Sequence, residues 1–428
     1  MSNPTGIGVS VRRKEDLRFI TGRGNYVADV KRPDMAYGVF LRSPHAHALI
    51  KSIDTSAAAE MPGVLRVLTG ADMKADGVGG LPCAWPVTGK NSTPSKEPAH
   101  PALAQDKVRC VGDAVAFIVA ESLIQARNAA EAIEVEYEPL PAAVGVLDAL
   151  KPGAPAVFED IPDNICCDWE VGDKHATEAA FKKAAHVARI SLVNNRLVGN
   201  PMETRAVVAE YDRSRSHYTM WTTSQFPHIV KLLMGNFVLN IPQHKLRVIS
   251  PDVGGGFGVK QFHYAEEAVL TWASAKIERP VKWVCERSEG FISDAHGRDH
   301  VTEAELAVDE TGKFLGLRVT TIANMGAYLS TFGPEHSDQS LRPASFMDYC
   351  MPRADDVPVM KVETHITQCT HNPLGVKGCG EVGTIGSPAT VINAVVDALA
   401  HLGVTHVDMP ASPNRVWHII QSAGAARQ

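Results

Sequence analysis

No stretch of this sequence reaches the roughly 18 consecutive apolar residues that a membrane-spanning helix needs, so none is expected. The eight cysteines, Cys83, Cys110, Cys166, Cys167, Cys285, Cys350, Cys369 and Cys379, include no Cys-x-x-Cys pair. Iron–sulfur and structural zinc clusters within the chain are therefore disfavoured. Positive charge is not in excess: 42 Lys+Arg stand against 48 Asp+Glu, a net charge of -6, which argues against nucleic acid as the principal partner. Glycine (34) and proline (27) are too few among 428 residues for a fibrous or low-complexity chain. Near the N-terminus, Arg12-Arg13 is followed by Lys14, Glu15 and Asp16 where an export signal would need apolar residues. The expectation is an unprocessed cytoplasmic protein.

What is present is the composition of a globular chain, 45% hydrophobic and long enough for two to four domains. From Asp34 to about Leu140, short β-rich runs (AYGVFLRS, HALIKSID, GVLRVLTG, DAVAFIVA) alternate with helical ones, which predicts a compact α+β unit. Its best helix is Glu121 to Ala132, with Ile124, Ala129 and Ala132 available for the apolar face. A Pro-containing strap then leads to a second unit near Gly172. There, the helical segment ATEAAFKKAAH is followed by strand runs ARISLVNN, AVVAEYD and HYTMWTTS, whose alternation fits sheets with one covered face. Each of the two units is expected to bury its own core. KLRVIS, the glycine cluster PDVGGGFGVK, a helix from about Gln261 to Lys276 and PVKWVCE complete a strand–loop–helix–strand layout that often builds a ligand site. The last third carries a second glycine-rich loop, NPLGVKGCGEVGTIGS, and a helix with Ser387 as cap, Pro388 at its first position and Gly403 at its end. Val391, Ile392, Val395, Val396 and Leu399 form its expected buried stripe.

Consecutive glycines can turn backbone N–H groups toward one point, because a chain without Cβ takes positive φ and approaches a ligand closely. Gly254, Gly255, Gly256 and Gly258 can form such an anion cradle, or simply a tight turn between strand and helix. GGGFGV lacks the third glycine of the dinucleotide fingerprint, and no Gly-Lys-Ser/Thr ending marks a phosphate loop. Glu381, between Gly380 and Val382-Gly383, is either a solvated loop carboxylate or a general base whose proton affinity is raised by desolvation.

Taken together, PDVGGGFGVK, WTTSQFPH, NPMETRAVVAEYD and NPLGVKGCGEVGTIGSPATVINAVVDAL resemble the molybdenum-cofactor (large) subunit of the xanthine dehydrogenase and aldehyde oxidase family. The wording is closest to the branch with aerobic carbon monoxide dehydrogenase-like large subunits. The resemblance implies an α+β fold in which an N-terminal a/b hammerhead domain precedes a molybdopterin-binding domain and a partial second one. The expected boundaries are an arm over 1–18, the hammerhead over 19–142, a linker strap over 143–171, the first cofactor domain over 172–333 and the partial second over 334–428. It places the general base at Glu381 and a glutamine that hydrogen-bonds an oxygen near the metal at Gln225. It also assigns cofactor contacts to Gly254, Gly255, Gly256, Phe257 and Gly258, and to Gly378, Cys379 and Gly380 of the second loop. No side chain is expected to ligate molybdenum, which the pterin, as its cytosine dinucleotide, would hold.

The chemistry so implied is hydroxylation of an aldehyde or an aromatic N-heterocycle with water as the oxygen source. Electrons would leave through a small [2Fe–2S] subunit and an FAD-binding subunit. Two departures shape the expectation. Gln261 stands where relatives with purine substrates carry Glu, which disfavours a xanthine-like substrate. NMGAYLSTFGP runs almost directly into ASFMDYCMPRADD, so much of the second cofactor domain is missing around Pro334 to Arg342, including the loop with the active-site cysteine of carbon monoxide dehydrogenases. The alternative is a non-catalytic or truncated remnant of such a subunit with impaired cofactor binding.

Overall fold

The computed structural model describes residues 13–331 apart from 85 and 330, and residues 387–425 apart from 410 and 412. The chain divides into two compact units, Met1–Phe346 and Met347–Gln428. In the first, the strands are β1 (Ala36–Arg42), β2 (Ala48–Asp54), β3 (Val64–Thr69), β4 (Lys107–Val108), β5 (Ala114–Ala120) and β6 (Glu134–Pro139). They continue as β7 (His186–Asn194), β8 (Leu197–Val198), β9 (Ala206–Asp212), β10 (His217–Thr222), β11 (Leu246–Ile249), β12 (Val281–Val284), β13 (His296–Gly297), β14 (His300–Val308) and β15 (Phe314–Ala323).

The central feature is a seven-stranded sheet of order β11-β10-β9-β12-β1-β5-β3. Its two halves come from the two regions expected to fold separately, joined where β1 pairs in parallel with β12 (Ala36 with Val281, Tyr37 with Lys282). The expectation of two independent cores is thereby corrected. Phe40 and Phe117 from one half pack with Trp283 from the other, at ring-centroid distances of 4.6 Å (Phe40–Phe117) and 5.8 Å (Phe40–Trp283). Val207, Met220 and Leu270 complete the same apolar cluster. A short join of this kind is stable because burying both sides against one another removes more apolar surface from water than two small cores would.

β5, sequence AVAFIVA, is buried at every position. Phe117 and Val119 face the shared core, while Ala116, Ile118 and Ala120 face the helix Leu123–Glu131. A strand covered on both faces has no reason to alternate, hence the unbroken apolar run. Ser122 caps that helix by accepting from the Gln125 amide at 3.3 Å. Its buried face is Ala126 and Ala129, whereas Ile124, expected inside, is exposed. The small Ala126 and Ala129 side chains are what the helix presses against the sheet.

β15, β14 and β7 form a separate three-stranded sheet. The helix Lys174–Lys183 covers one of its faces, with Arg318 over the Phe181 ring and Gly316 beneath Ala180. The register puts Ile190 beside Ala304 and Val319, and Leu306 beside Leu317, on the opposite face. That face is apolar and open: Ile190 is 53% exposed and Leu317 62%. The expected covered face is thus corrected for β7, where every residue is exposed.

In the second unit, the helix Ser387–Leu399 runs into the 3-10 turn Ala400–Leu402, and Gly403 ends it in the left-handed conformation, φ +83°. Leu399 is buried and Ile392, Val395 and Val396 are half-buried, but Val391 is exposed. A second helix spans Pro413–Ala425. The strand expected in VPVMKVETHI lies outside the described residues. Among those described, no helix is long and apolar enough to cross a membrane.

Gly38 lies directly under Phe117: a Cβ there would sit 2.2 Å from Cζ of that fully buried ring. Gly38→Ala is expected to lower unfolding free energy by about 1–3 kcal/mol through overpacking, and Phe117→Ala by about 3–5 kcal/mol through the cavity it leaves. Urea denaturation followed by tryptophan fluorescence measures both, and a neutral Gly38→Ala would mean the ring is free to move aside.

Candidate active site

The glycine loop leaves β11 and leads through the 3-10 turn Val259–Gln261 to the helix Ala265–Ile277. Gly255 (φ +91°), Phe257 (φ +49°) and Gly258 (φ +87°) are all left-handed, which folds the loop back on itself. Two side chains fix this shape. The Glu203 carboxylate accepts from the Gly254 amide at 2.7 Å and from Lys260 Nζ at 2.7 Å, binding the two ends of the loop to one oxygen. Gln225 Oε1 accepts from the backbone N–H groups of Gly258 at 3.1 Å and Lys260 at 3.3 Å, while the Gln225 backbone N–H donates to the Lys260 carbonyl at 2.7 Å.

These bonds narrow the expected cradle. Gly254 and Gly258 use their amides inside the protein, so the amides left without an acceptor among the described residues are those of Gly255, Gly256 and Phe257. Gln225 is exposed, and two backbone donors determine which end of its amide is oxygen; the NH2 is the end left to meet a ligand. A Cβ at Gly256 would lie 2.3 Å from Gln225 Oε1, so a larger residue there would displace the Gln225 side chain from its place on the loop. Phe257, which could have been a core aromatic, is exposed with its ring against Gly255. The face offered is thus three amides, one amide NH2 and one aromatic ring, suited to an oxygen-rich flat group. Glu381, Gly378, Cys379 and Gly380 lie outside the described residues.

Beneath the loop is an ionic cluster that sequence reasoning missed. Arg205 Nη1 donates to Glu266 Oε2 at 2.6 Å and Arg205 Nε to Asp294 Oδ1 at 2.6 Å, with its guanidinium 3.7 Å from the Tyr264 ring centre. Arg42, at the end of β1, reaches Glu266 at 2.7 Å and Glu289 at 2.8 Å. Burial opposes the charged form of Glu266, but the charges of Arg205 and Arg42 outweigh it and hold the carboxyl well below its usual range. Burial pushes the Tyr264 phenol up, and its OH donates to the Val259 carbonyl at 2.6 Å. One signal was available: Glu266 and Glu267 sit in AEEAVLTWAS, a helix buried continuously from Glu266 to Ser274. An acid inside so apolar a segment must be paired.

Residues 157–382 match the molybdopterin cofactor-binding domain and residues 21–141 the aldehyde oxidase and xanthine dehydrogenase a/b hammerhead domain. The chain therefore belongs to the molybdopterin-binding subunits of the xanthine dehydrogenase and aldehyde oxidase family. It is 39% identical to the carbon monoxide dehydrogenase large chain of Afipia carboxidovorans over 83% of this chain and 43% of that one. It is 36% identical to the nicotine 6-hydroxylase large subunit of Paenarthrobacter nicotinovorans, over 75% and 38% of the two chains. The crystal structure of quinoline 2-oxidoreductase from Pseudomonas putida 86 superposes with a TM-score of 0.67 at 36% identity, covering 76% of this chain and 40% of that one. The chain spans less than half the length of these three proteins.

Lys260 has a fully buried side chain, and burial lowers its pKa while Glu203 pulls it back up. Glu203→Gln leaves that ammonium without its carboxylate and is expected to cost about 3–5 kcal/mol, whereas the double variant Glu203→Gln/Lys260→Met should recover most of it. Urea unfolding of the three proteins checks this. A double variant as unstable as the single one would show that the loop depends on the Gly254 bond instead.

Proposed function

We propose that this chain is the molybdenum-cofactor part of a hydroxylase that oxidises an aldehyde or an aromatic N-heterocycle, with water as the oxygen source. The observation that carries the reading is the loop face itself: the free amides of Gly255, Gly256 and Phe257 beside a Gln225 whose oxygen is already engaged. These residues fit a pterin, which the amides and the Phe257 ring would hold. When bound, the cofactor supplies an activated oxygen nucleophile and a sink for two electrons. Gln225 would donate through its Nε2 to an oxygen of the bound group, and the clamped loop keeps that donor in place without reorganisation. Glu381 takes a proton as general base. Gln261 cannot serve as an acid, which favours substrates other than purines.

The cytosine dinucleotide form of the pterin and the two electron-accepting partners, a small [2Fe–2S] subunit and an FAD-binding subunit, belong to this proposal. Supporting a partner is the uncovered apolar face of Ile190, Leu192, Leu317 and Val319, larger than scattered surface residues explain. A second reading, a non-catalytic remnant of such a subunit with impaired cofactor binding, rests on the near-direct run from NMGAYLSTFGP into ASFMDYCMPRADD.

Metal analysis separates the two. Chain co-expressed with its partner subunits is expected to contain near-stoichiometric molybdenum by mass spectrometry. Glu381→Gln should keep that metal and lower kcat by about 10²–10⁴-fold, the usual worth of a general base. Metal-free protein, or full turnover in the variant, would favour the remnant or another base.

A further inference from the structure

A third hold on the glycine loop comes from the N-terminal segment of the chain. Asp252 stands two residues before Gly254, and its carboxylate meets three donors from that segment. Arg18 Nη2 donates to Oδ1 at 2.7 Å, Arg18 Nη1 donates to Oδ2, and the Asn25 backbone N–H donates to Oδ2 at 2.7 Å. The backbone pairs there too, with the Asp252 N–H donating to the Asn25 carbonyl at 3.1 Å. The Asp252 side chain is only 15% exposed, and its bond to Arg18 holds the carboxyl below its usual range.

A segment can position a loop only if it is itself fixed. The anchor is Val27, fully buried against Ala206 and Val208 of β9. Beside it, Lys282 Nζ on β12 donates to the Ala28 carbonyl at 2.5 Å and to the Val30 carbonyl at 2.9 Å. Asn25 lies two residues from that anchor, so its grip on Asp252 is tied to the core of the sheet. Arg18 lies further out, in the short helix Asp16–Ile20, and its side chain is 39% exposed. An exposed ion pair usually contributes little. This one differs in form, because the two N–H groups of a planar guanidinium fix the orientation of the carboxylate as well as its distance. The N-terminal segment thus holds the entry of the loop, Glu203 its first glycine and Gln225 its middle.

We propose that Arg18 is a positioning residue for the glycine loop. It acts through Asp252 to keep the shape in which the backbone N–H groups of Gly255, Gly256 and Phe257 stay available to a ligand. What that ligand is rests on the molybdenum-cofactor reading; the positioning does not.

The test is hydrogen exchange, read by mass spectrometry, on the metal-free full-length chain. The backbone N–H groups of Gly254, Gly258 and Lys260 report opening of the loop, since they are bonded to Glu203 and Gln225. Arg18→Ala is expected to speed their exchange about tenfold, the usual scale for losing a charge-assisted hydrogen bond, and to leave β5 unchanged. Arg18→Lys, which keeps the charge but loses the fork, should fall between. Asp252→Ala should also speed exchange in the loop, and adding Arg18→Ala to it should have no further effect, because the partner is already gone. Unchanged loop exchange in Arg18→Ala, equal acceleration in β5, or a further increase in the double variant would each overturn the proposal. Should Arg18→Ala not fold, Arg18→Lys decides: loop exchange faster than in the unaltered chain supports the proposal, and equal exchange overturns it. A chain that never takes up molybdenum would give the same exchange pattern, so the two proposals fail separately.

Discussion

Arg42, Glu266, Arg205 and Asp294 are charged groups placed where water cannot reach, and such a cluster is tolerated only when every member is met by another. Each comes from a different part of the chain: the end of β1, the first turn of the helix Ala265–Ile277, the residue before β9, and the end of the helix Arg287–Ser293. The cluster therefore acts as a geometric lock. If β1 shifted against β12, Arg42 would leave Glu266 with a surplus of negative charge in an apolar interior. The cost of that error fixes how the two halves of the seven-stranded sheet meet, and with it the start of the helix from which the glycine loop hangs.

The loop extends the same logic outward. Glu203 binds both its ends, and Gln225 binds its middle through one amide oxygen. The amides that remain unpaired among the described residues, those of Gly255, Gly256 and Phe257, are the ones the loop has left to offer. The loop turns back through left-handed residues at 255, 257 and 258, and a side chain at Gly256 would push Gln225 off the loop. Membership of the molybdopterin-binding family accords with a rigid, donor-rich surface, since preorganised donors hold an anionic group without paying to rearrange.

Several parts of the fold were legible in the sequence because one physical cause dominated each. AVAFIVA is buried on both faces, so its run is apolar without alternation, and AVVAEYD and HYTMWT were recognisable as strands, though not as the pair they form. Gly403 ends its helix because only a residue free of Cβ adopts that conformation cheaply. Where two causes competed, the pattern misled. Ile124 and Val391 have the right spacing for a buried stripe, yet both are exposed. Periodicity gives the phase of a helix; the neighbour decides which part of its circumference is covered. The same holds for β7, whose alternation is real but whose apolar residues are all exposed among the described residues.

The glycine loop, Gln225 and the family they belong to were determined by residue identity, because glycine's backbone freedom and an amide's donor–acceptor pair are properties of single residues at fixed positions in the chain. Only the tertiary structure decided which loop amides are free, that Lys260 and Glu203 bind the loop ends, and that the two halves share one sheet. Those facts depend on which distant segments come within about 3 Å of each other, the range of a hydrogen bond. No local pattern encodes that distance; it emerges when apolar burial and the pairing of buried charge are satisfied together.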